Sequence, residues 1–393
     1  MFQVISSSCQ AAAVCASTTY QALGRVLSSV TYALFKRGIE PIAGYFLRIC
    51  VFRDSALQGR VSQWIVLPFV RAAGGIWLRI QGISTPFTRI EPTRLNSSAQ
   101  FLAEFAEIRT ITTADGVRLP FTIYTPERFE QWVAAHGGVR DGEWIRPRRP
   151  QDWAELQHLR NFKWFVEEGQ AFRVPPLQPG ASERCLLRVQ GFGRTMPMDK
   201  AYIGMHLAAG FNYALFDWRG GLTASACFQD ADAAYQAVRQ AGFAADRITA
   251  MGSCRATFVV AHLKEQHGHE GLNVAMIQAP PSLHAAIAHT PWPARSIGML
   301  GLGAIEDAPH HFDTLRRLQA LPHAAGGATC LVMSEGDQTL PENAVQELRA
   351  AAERSGPCEV IMEPRVAGVV DPHFGDPLHN PTVLARYLAF LRH

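Results

Sequence analysis

Apolar and polar positions alternate through the stretch that begins near Glu107, and from Cys185 onward they give way to solid apolar runs; that change organises the chain. Ile108-Arg109-Thr110-Ile111-Thr112 leads into the turn Ala114-Asp115-Gly116, and Val117-Arg118-Leu119-Pro120-Phe121-Thr122-Ile123-Tyr124 returns. Two strands joined by a glycine-containing turn are expected there. Beyond Cys185, apolar runs of strand length are separated by longer stretches of helical character. They place strands at 185–190, 212–217, 247–251, 273–278, 329–334 and 358–363, and helices at 199–209, 228–241, 255–267, 342–354 and 381–391. Such alternation predicts the α/β class, with a mostly parallel twisted sheet flanked by helices. Segment 126–184, rich in Trp, Arg and Pro and without strand rhythm, reads as an insertion or elaborated loop, and 280–325 as a second elaboration.

The first hundred residues differ. Residues 1–100 read as a helical extension ahead of a domain at 107–393. Between 17 and 85 the chain is apolar, but Lys36, Arg37, Glu40, Arg48, Arg53 and Arg71 interrupt each run before it reaches the ~20 residues of a spanning helix. The run Trp64-Ile65-Val66-Leu67-Pro68-Phe69-Val70-Arg71 and the later Trp77-Leu78-Arg79-Ile80 mix aromatics with arginine, a composition suited either to a membrane interface or to helix packing. Peripheral contact with a membrane or a host protein is the partner expected of this region. No basic segment precedes the first apolar residues, so no cleaved signal peptide is expected. No acidic residue occurs before Glu40, and the segment is rich in Ser, Thr and Ala, which resembles the amino-terminal addresses of bacterial type III secreted effectors. A cytoplasmic location, or export by such a route, is the expectation.

Composition narrows the function. A net charge of +3 over 393 residues is too small for nucleic acid to be the main partner. Cys9, Cys15, Cys50, Cys185, Cys227, Cys254, Cys330 and Cys358 are scattered, with no Cys-x-x-Cys pair and no zinc-like spacing, so neither a metal nor another cofactor is expected. Reduced cysteines suit the cytosol, or work in cytosol after export.

The strand Asp246-Arg247-Ile248-Thr249-Ala250-Met251 runs into Gly252-Ser253-Cys254-Arg255-Ala256 and then into the apolar helix Thr257-Phe258-Val259-Val260-Ala261-His262-Leu263. Small residues flank Cys254 on both sides, as a strand must have where it turns sharply into a helix with a reactive atom at the bend. Gln190-Gly191-Phe192-Gly193-Arg194 follows an earlier strand, and Phe216-Asp217-Trp218-Arg219-Gly220 the next. Together these residues resemble the α/β-hydrolase superfamily in a variant with a cysteine nucleophile, and the resemblance covers about 107–393. Gln190 stands where the superfamily's loop carries histidine, and Ala256 where its elbow carries glycine.

The resemblance implies an α/β-hydrolase fold and a Cys-His-Asp triad. Cys254 is the nucleophile, and the amides of Phe192 and Arg255 form the oxyanion hole. The acid falls in Ser334-Glu335-Gly336-Asp337, with Asp337 preferred to Glu335. The base falls in Asp371-Pro372-His373-Phe374-Gly375-Asp376-Pro377-Leu378-His379, with His373 preferred to His379. Asp371 and Asp376 remain open as acids that tune or replace Asp337. His310 and His311 read as surface. The order Cys254, Asp337, His373 is the superfamily's order of nucleophile, acid and base. Cysteine at this place is similar to that of dienelactone hydrolases and polyhydroxyalkanoate synthases, a likeness confined to the elbow. It implies an acyl ester or thioester substrate, with lipid among the candidates, and an esterase or thioesterase activity. Acyl transfer to another acceptor, or a secreted effector that keeps the fold as a binding module without catalysis, are the alternatives.

Overall fold

A computed structural model describes residues 105–393 except 163, 191–199, 220–223, 283–284, 286–312, 323–325, 338–339, 341–342 and 366–375. The chain divides into two units, Met1–Val70 and Arg71–His393, and every described residue belongs to the second. The expected extension at 1–100, with its address-like and interface-like segments, lies outside the described residues. Among the described residues no helix is long and apolar enough to cross a membrane.

The amino-terminal hairpin forms as expected. β1 (Ala106–Thr112) and β2 (Arg118–Tyr124) pair antiparallel, with Ala106 opposite Tyr124 and Thr112 opposite Arg118. Gly116 takes φ +82° in the turn, and the Thr113 hydroxyl donates to Asp115. The segment that follows is more ordered than its sequence suggests. Between Pro126 and Glu183 lie helix α1 (Pro126–Ala135), strands β3 (Gly138–Asp141) and β4 (Trp144–Pro147), the short helix α2 (Trp153–Leu156), and strands β5 (Val166–Glu167) and β6 (Phe172–Arg173). The four strands make a separate antiparallel sheet in the order β3-β4-β6-β5. Their lengths of two to four residues explain why no rhythm marks them, since a period of two needs several repeats to register.

From Cys185 the expected alternation is realised: β7 (Cys185–Val189), α3 (Lys200–Ala208), β8 (Asn212–Phe216), α4 (Ala224–Gln240), β9 (Ile248–Ser253), α5 (Thr257–His267), β10 (Asn273–Ile277), α6 (Thr314–Ala320), β11 (Thr329–Ser334), α7 (Ala344–Ser355), β12 (Cys358–Glu363) and α8 (Pro381–Phe390). Helix α6 falls in the 280–325 elaboration, where no helix is expected from the sequence. The main sheet has the order β1-β2-β8-β7-β9-β10-β11-β12, and every pair from β8 to β12 is parallel. An antiparallel second strand followed by this exchange of the third and fourth strands is the topology of the α/β-hydrolase fold.

The burial pattern explains the runs. Every residue of β7, β8 and β10 is buried, because helices cover both faces of the parallel strands. Leu187, Val189, Ala250 and Val274 point to one core, shared with α4, α5 and α7. Leu186, Met251, Ala275 and Val332 point to the other, shared with α3, α8 and the 126–184 segment. Right-handed crossovers account for the division. β8 and β9 lie on opposite sides of β7, so α3 and α4 pass over opposite faces. The carboxyl end of β7 is thus the point where strand order reverses, and a crevice opens at such a point.

Candidate active site

Cys254 lies immediately after β9, beside that reversal point. Its backbone takes φ +51°, a left-handed conformation that a residue with a Cβ adopts only at a cost of about 1–3 kcal/mol. The turn is braced on both sides. The Thr257 hydroxyl donates to the Cys254 carbonyl oxygen at 2.6 Å, and Cys254-Arg255-Ala256 forms a single 3₁₀ turn into α5. Gly252 meets a steric demand, since a Cβ there would come within 2.7 Å of Val260 Cγ2 and 3.0 Å of the Ala256 carbonyl carbon. Ala256 is fully buried where α5 closes on the strand.

The five described cysteines are all free; Cys254 and Cys358 are half-buried and the other three are buried. Cys185, Cys227 and Cys330 are buried in the cores, where burial pushes their thiols up, and burial raises Cys358 to about 11. Among the described cysteines Cys254 alone has a left-handed backbone, directly after a strand end.

Asp337 follows β11 in the turn Glu335-Gly336, is half-buried, and lies at the same edge of the sheet as Cys254 with β10 between them. Two inter-strand spacings make that separation ~10 Å at strand level. Gly336 takes φ +75°, which lets the chain reverse ahead of Asp337. The neighbouring Glu335 is exposed and accepts the Arg365 amide at 3.3 Å. Arg255 places its amide in the 3₁₀ turn directly after Cys254. Phe192, His373 and Asp371 lie outside the described residues, as do His310 and His311. The remaining candidates have structural partners. His379 is exposed and stacks on Trp164 with ring centres 4.3 Å apart. Asp376 caps the turn Pro377–His379 through the Leu378 amide and accepts the Tyr202 hydroxyl at 2.8 Å.

Two neighbours of the Ser253-Cys254 turn are not apparent as site residues from motif reading. Gln278 follows β10, and the register of Ile277 with Ser253 sets it beside Cys254. It too is left-handed, at φ +50°, and 4% exposed. Its amide lies 3.4 Å from Ser334 Oγ, which donates to Glu363 at 2.7 Å, so the ends of β10, β11 and β12 are linked across the edge that carries Asp337. On the other flank, Arg188 of β7 donates to Ser253 Oγ at 3.0 Å. A charge inside the apolar run Cys185-Leu186-Leu187-Arg188-Val189 is the one sequence signal that could have drawn attention to it. Arg219 of the Asp-x-Arg-Gly turn serves the frame instead, bonding Asp230 on α4 and Asp115 in the first turn. Among the described residues no group of three or more His, Cys, Asp or Glu side chains is arranged to hold a metal ion.

No protein-family model matches the sequence, and no curated protein matches it either. Solved structures of similar architecture include a Pyrococcus furiosus esterase, 14% identical, with a TM-score of 0.45 over 75% of this chain and 94% of that one. The Pyrococcus horikoshii acylaminoacyl peptidase is 11% identical, with a TM-score of 0.46 over 73% of this chain and 41% of its own. A Mycobacterium tuberculosis puromycin-hydrolyzing peptidase is 14% identical, with a TM-score of 0.44 over 73% of this chain and 38% of its own. The chain therefore spans well under half the length of either peptidase. Identity this low and superposition this partial carry no statement about activity.

Proposed function

We propose that the chain is a cysteine-dependent acyl hydrolase of the esterase or thioesterase type, working through a covalent acyl-enzyme. The observation that carries this reading is the left-handed backbone of Cys254 at the end of β9, where a half-buried thiol caps a strained strand-to-helix turn. A buried structural cysteine has no need of that strain. The thiol is intrinsically nucleophilic, and the amino-terminal end of the following helix and a neighbouring imidazole favour its thiolate.

In this reading His373 takes the thiol proton as Cys254 Sγ adds to the substrate carbonyl, and Asp337 orients the imidazole. The amides of Phe192 and Arg255 receive the negative charge that develops on the carbonyl oxygen. His373 then returns the proton to the leaving group, leaving a thioester on Cys254. Water, activated by the same histidine, adds to the thioester and releases the acid and the free thiol. An alcohol or amine in place of water would make the same machinery an acyltransferase.

The test is turnover of p-nitrophenyl esters and acyl-CoA by the wild type, Cys254→Ser and Cys254→Ala. The alanine variant is expected to lose kcat by at least about a thousandfold. Equal turnover by the alanine variant would remove Cys254 from the mechanism. No turnover by a folded wild type, together with no selective labelling of Cys254 by a thiol probe near neutral pH, would favour the binding-module alternative.

A further inference from the structure

A guanidinium in a fully covered parallel strand is costly to bury, and Arg188 is 1% exposed. Its contacts explain the position. Nη1 donates to Ser253 Oγ at 3.0 Å, on the residue immediately before Cys254. The guanidinium carbon sits 4.6 Å from the centre of the Tyr202 ring, in cation–π contact. The Tyr202 hydroxyl donates to Asp376 Oδ2 at 2.8 Å. Behind Tyr202, His206 is fully buried with Nδ1 2.7 Å from the Tyr202 carbonyl oxygen and Nε2 3.1 Å from the Tyr387 hydroxyl. The carbonyl accepts only, so Nδ1 carries the proton and Nε2 accepts from Tyr387. Burial, reinforced by the Arg188 charge, holds His206 down to about 3, so it is neutral and adds no cation to the cluster.

The places of these residues along the chain give the cluster its meaning. Arg188 and Tyr202 bracket segment 191–199, in which Phe192 lies. Ser253 adjoins Cys254. Asp376 directly follows segment 366–375, in which His373 lies. One side-chain relay therefore joins Ser253, next to Cys254, to Tyr202 and Asp376.

We propose that Arg188 is a positioning residue that holds Cys254 in place through Ser253, with Tyr202, itself anchored on Asp376, as its second arm. The inference rests on Cys254 being the nucleophile. Arginine suits the task because one planar group both donates to a hydroxyl and lies over a ring, whereas a lysine ammonium does these less well together.

The experiment compares Arg188→Met, Arg188→Lys, Tyr202→Phe and Ser253→Ala with the wild type in two ways. One is kcat and KM on p-nitrophenyl esters; the other is the pH profile of Cys254 alkylation by iodoacetamide, which needs no substrate. Arg188→Met is expected to lower kcat roughly a hundredfold with KM within about twofold, since misplacement by about an ångström has that effect. Its alkylation profile is expected to move up by about one pH unit, because the cation removed is bonded to Ser253, the residue before Cys254. Arg188→Lys should recover most of the alkylation shift and only part of kcat. Tyr202→Phe should lower kcat about tenfold and leave the profile in place. Ser253→Ala keeps the cation and deletes the elbow contact, so it should lower kcat even if Arg188→Met does not fold. A folded Arg188→Met protein with the wild-type alkylation profile, or a Ser253→Ala protein with wild-type alkylation and kcat, would overturn the proposal. If the wild type has no acyl turnover, the function reading fails by itself, and the alkylation profiles still decide the role of Arg188.

Discussion

The two flanks of Cys254 are held by different physical means. On the β7 flank the holding groups are side chains: a buried cation, an aromatic ring and a carboxylate joined through Arg188, Tyr202 and Asp376. On the β10 flank the notable feature is the backbone, where Gln278 is left-handed beside a left-handed Cys254, with the Ser334–Glu363 hydrogen bond next to it. Side-chain relays lose geometry when a member is removed, whereas backbone strain is released when a glycine replaces the strained residue. The same kind of substitution should therefore have opposite effects on stability on the two sides.

Acid exposes the β7 flank most strongly. His206 is held at about 3 in the folded chain, against about 6.5 when unfolded, so between those values the unfolded state binds a proton that the folded state refuses. Stability from this group is complete above pH 6.5 and falls as pH drops toward 3, by about 1.4 kcal/mol per pH unit at most. Urea unfolding at pH 7 and 4.5 should reveal about 3 kcal/mol more loss in the wild type than in His206→Gln. Equal losses would mean that this flank does not depend on a neutral imidazole.

The turn at Cys254 between the flanks comes next. Gly252→Ala places a methyl 2.7 Å from Val260 Cγ2 and should destabilise by about 1–3 kcal/mol, read from the urea midpoint. It should also slow Cys254 alkylation as the turn opens. Loss of stability without change at the thiol would separate packing of α5 from presentation of Cys254.

The smallest effect has the reverse sign. Gln278→Gly relieves the left-handed backbone, removes the long hydrogen bond to Ser334, and should raise stability by about 1 kcal/mol in the same urea assay. A loss instead would show that the Gln278 side chain, and not its backbone, holds the β10 flank, erasing the contrast between the sides.

Much of this arrangement is legible before any coordinates. The strands at 329–334 and 358–363 coincide with β11 and β12, and 185–190 and 212–217 each exceed β7 and β8 by one residue, because an apolar run bounded by turn residues has few other uses. The small sheet of β3 to β6 is not legible, since strands of two to four residues carry too few alternations. Helix α6, at seven residues, is not legible for a similar reason. Among the site candidates, Cys254 and Asp337 announce themselves by neighbouring glycines and by chain order. Tyr202 and Gln278 do not, because nothing local distinguishes a tyrosine in an apolar helix or a glutamine after a strand.

By itself the sequence determined the class of fold, the sharp strand-to-helix turn at Cys254 within it and the chemical character of a thiol at that place. These are local properties: apolar periodicity, small residues at a bend, and the identity of the side chain there. Tertiary structure alone decided that Arg188 reaches Ser253, that Tyr202 reaches Asp376 across 174 positions of chain, and that Gln278 stands beside Cys254. Those contacts arise from strand order and register, in which β9 lies next to β7 and β10 although β8 precedes it in the chain. Which strands become neighbours depends on how both faces of the whole sheet are buried at once, and no single segment carries that information.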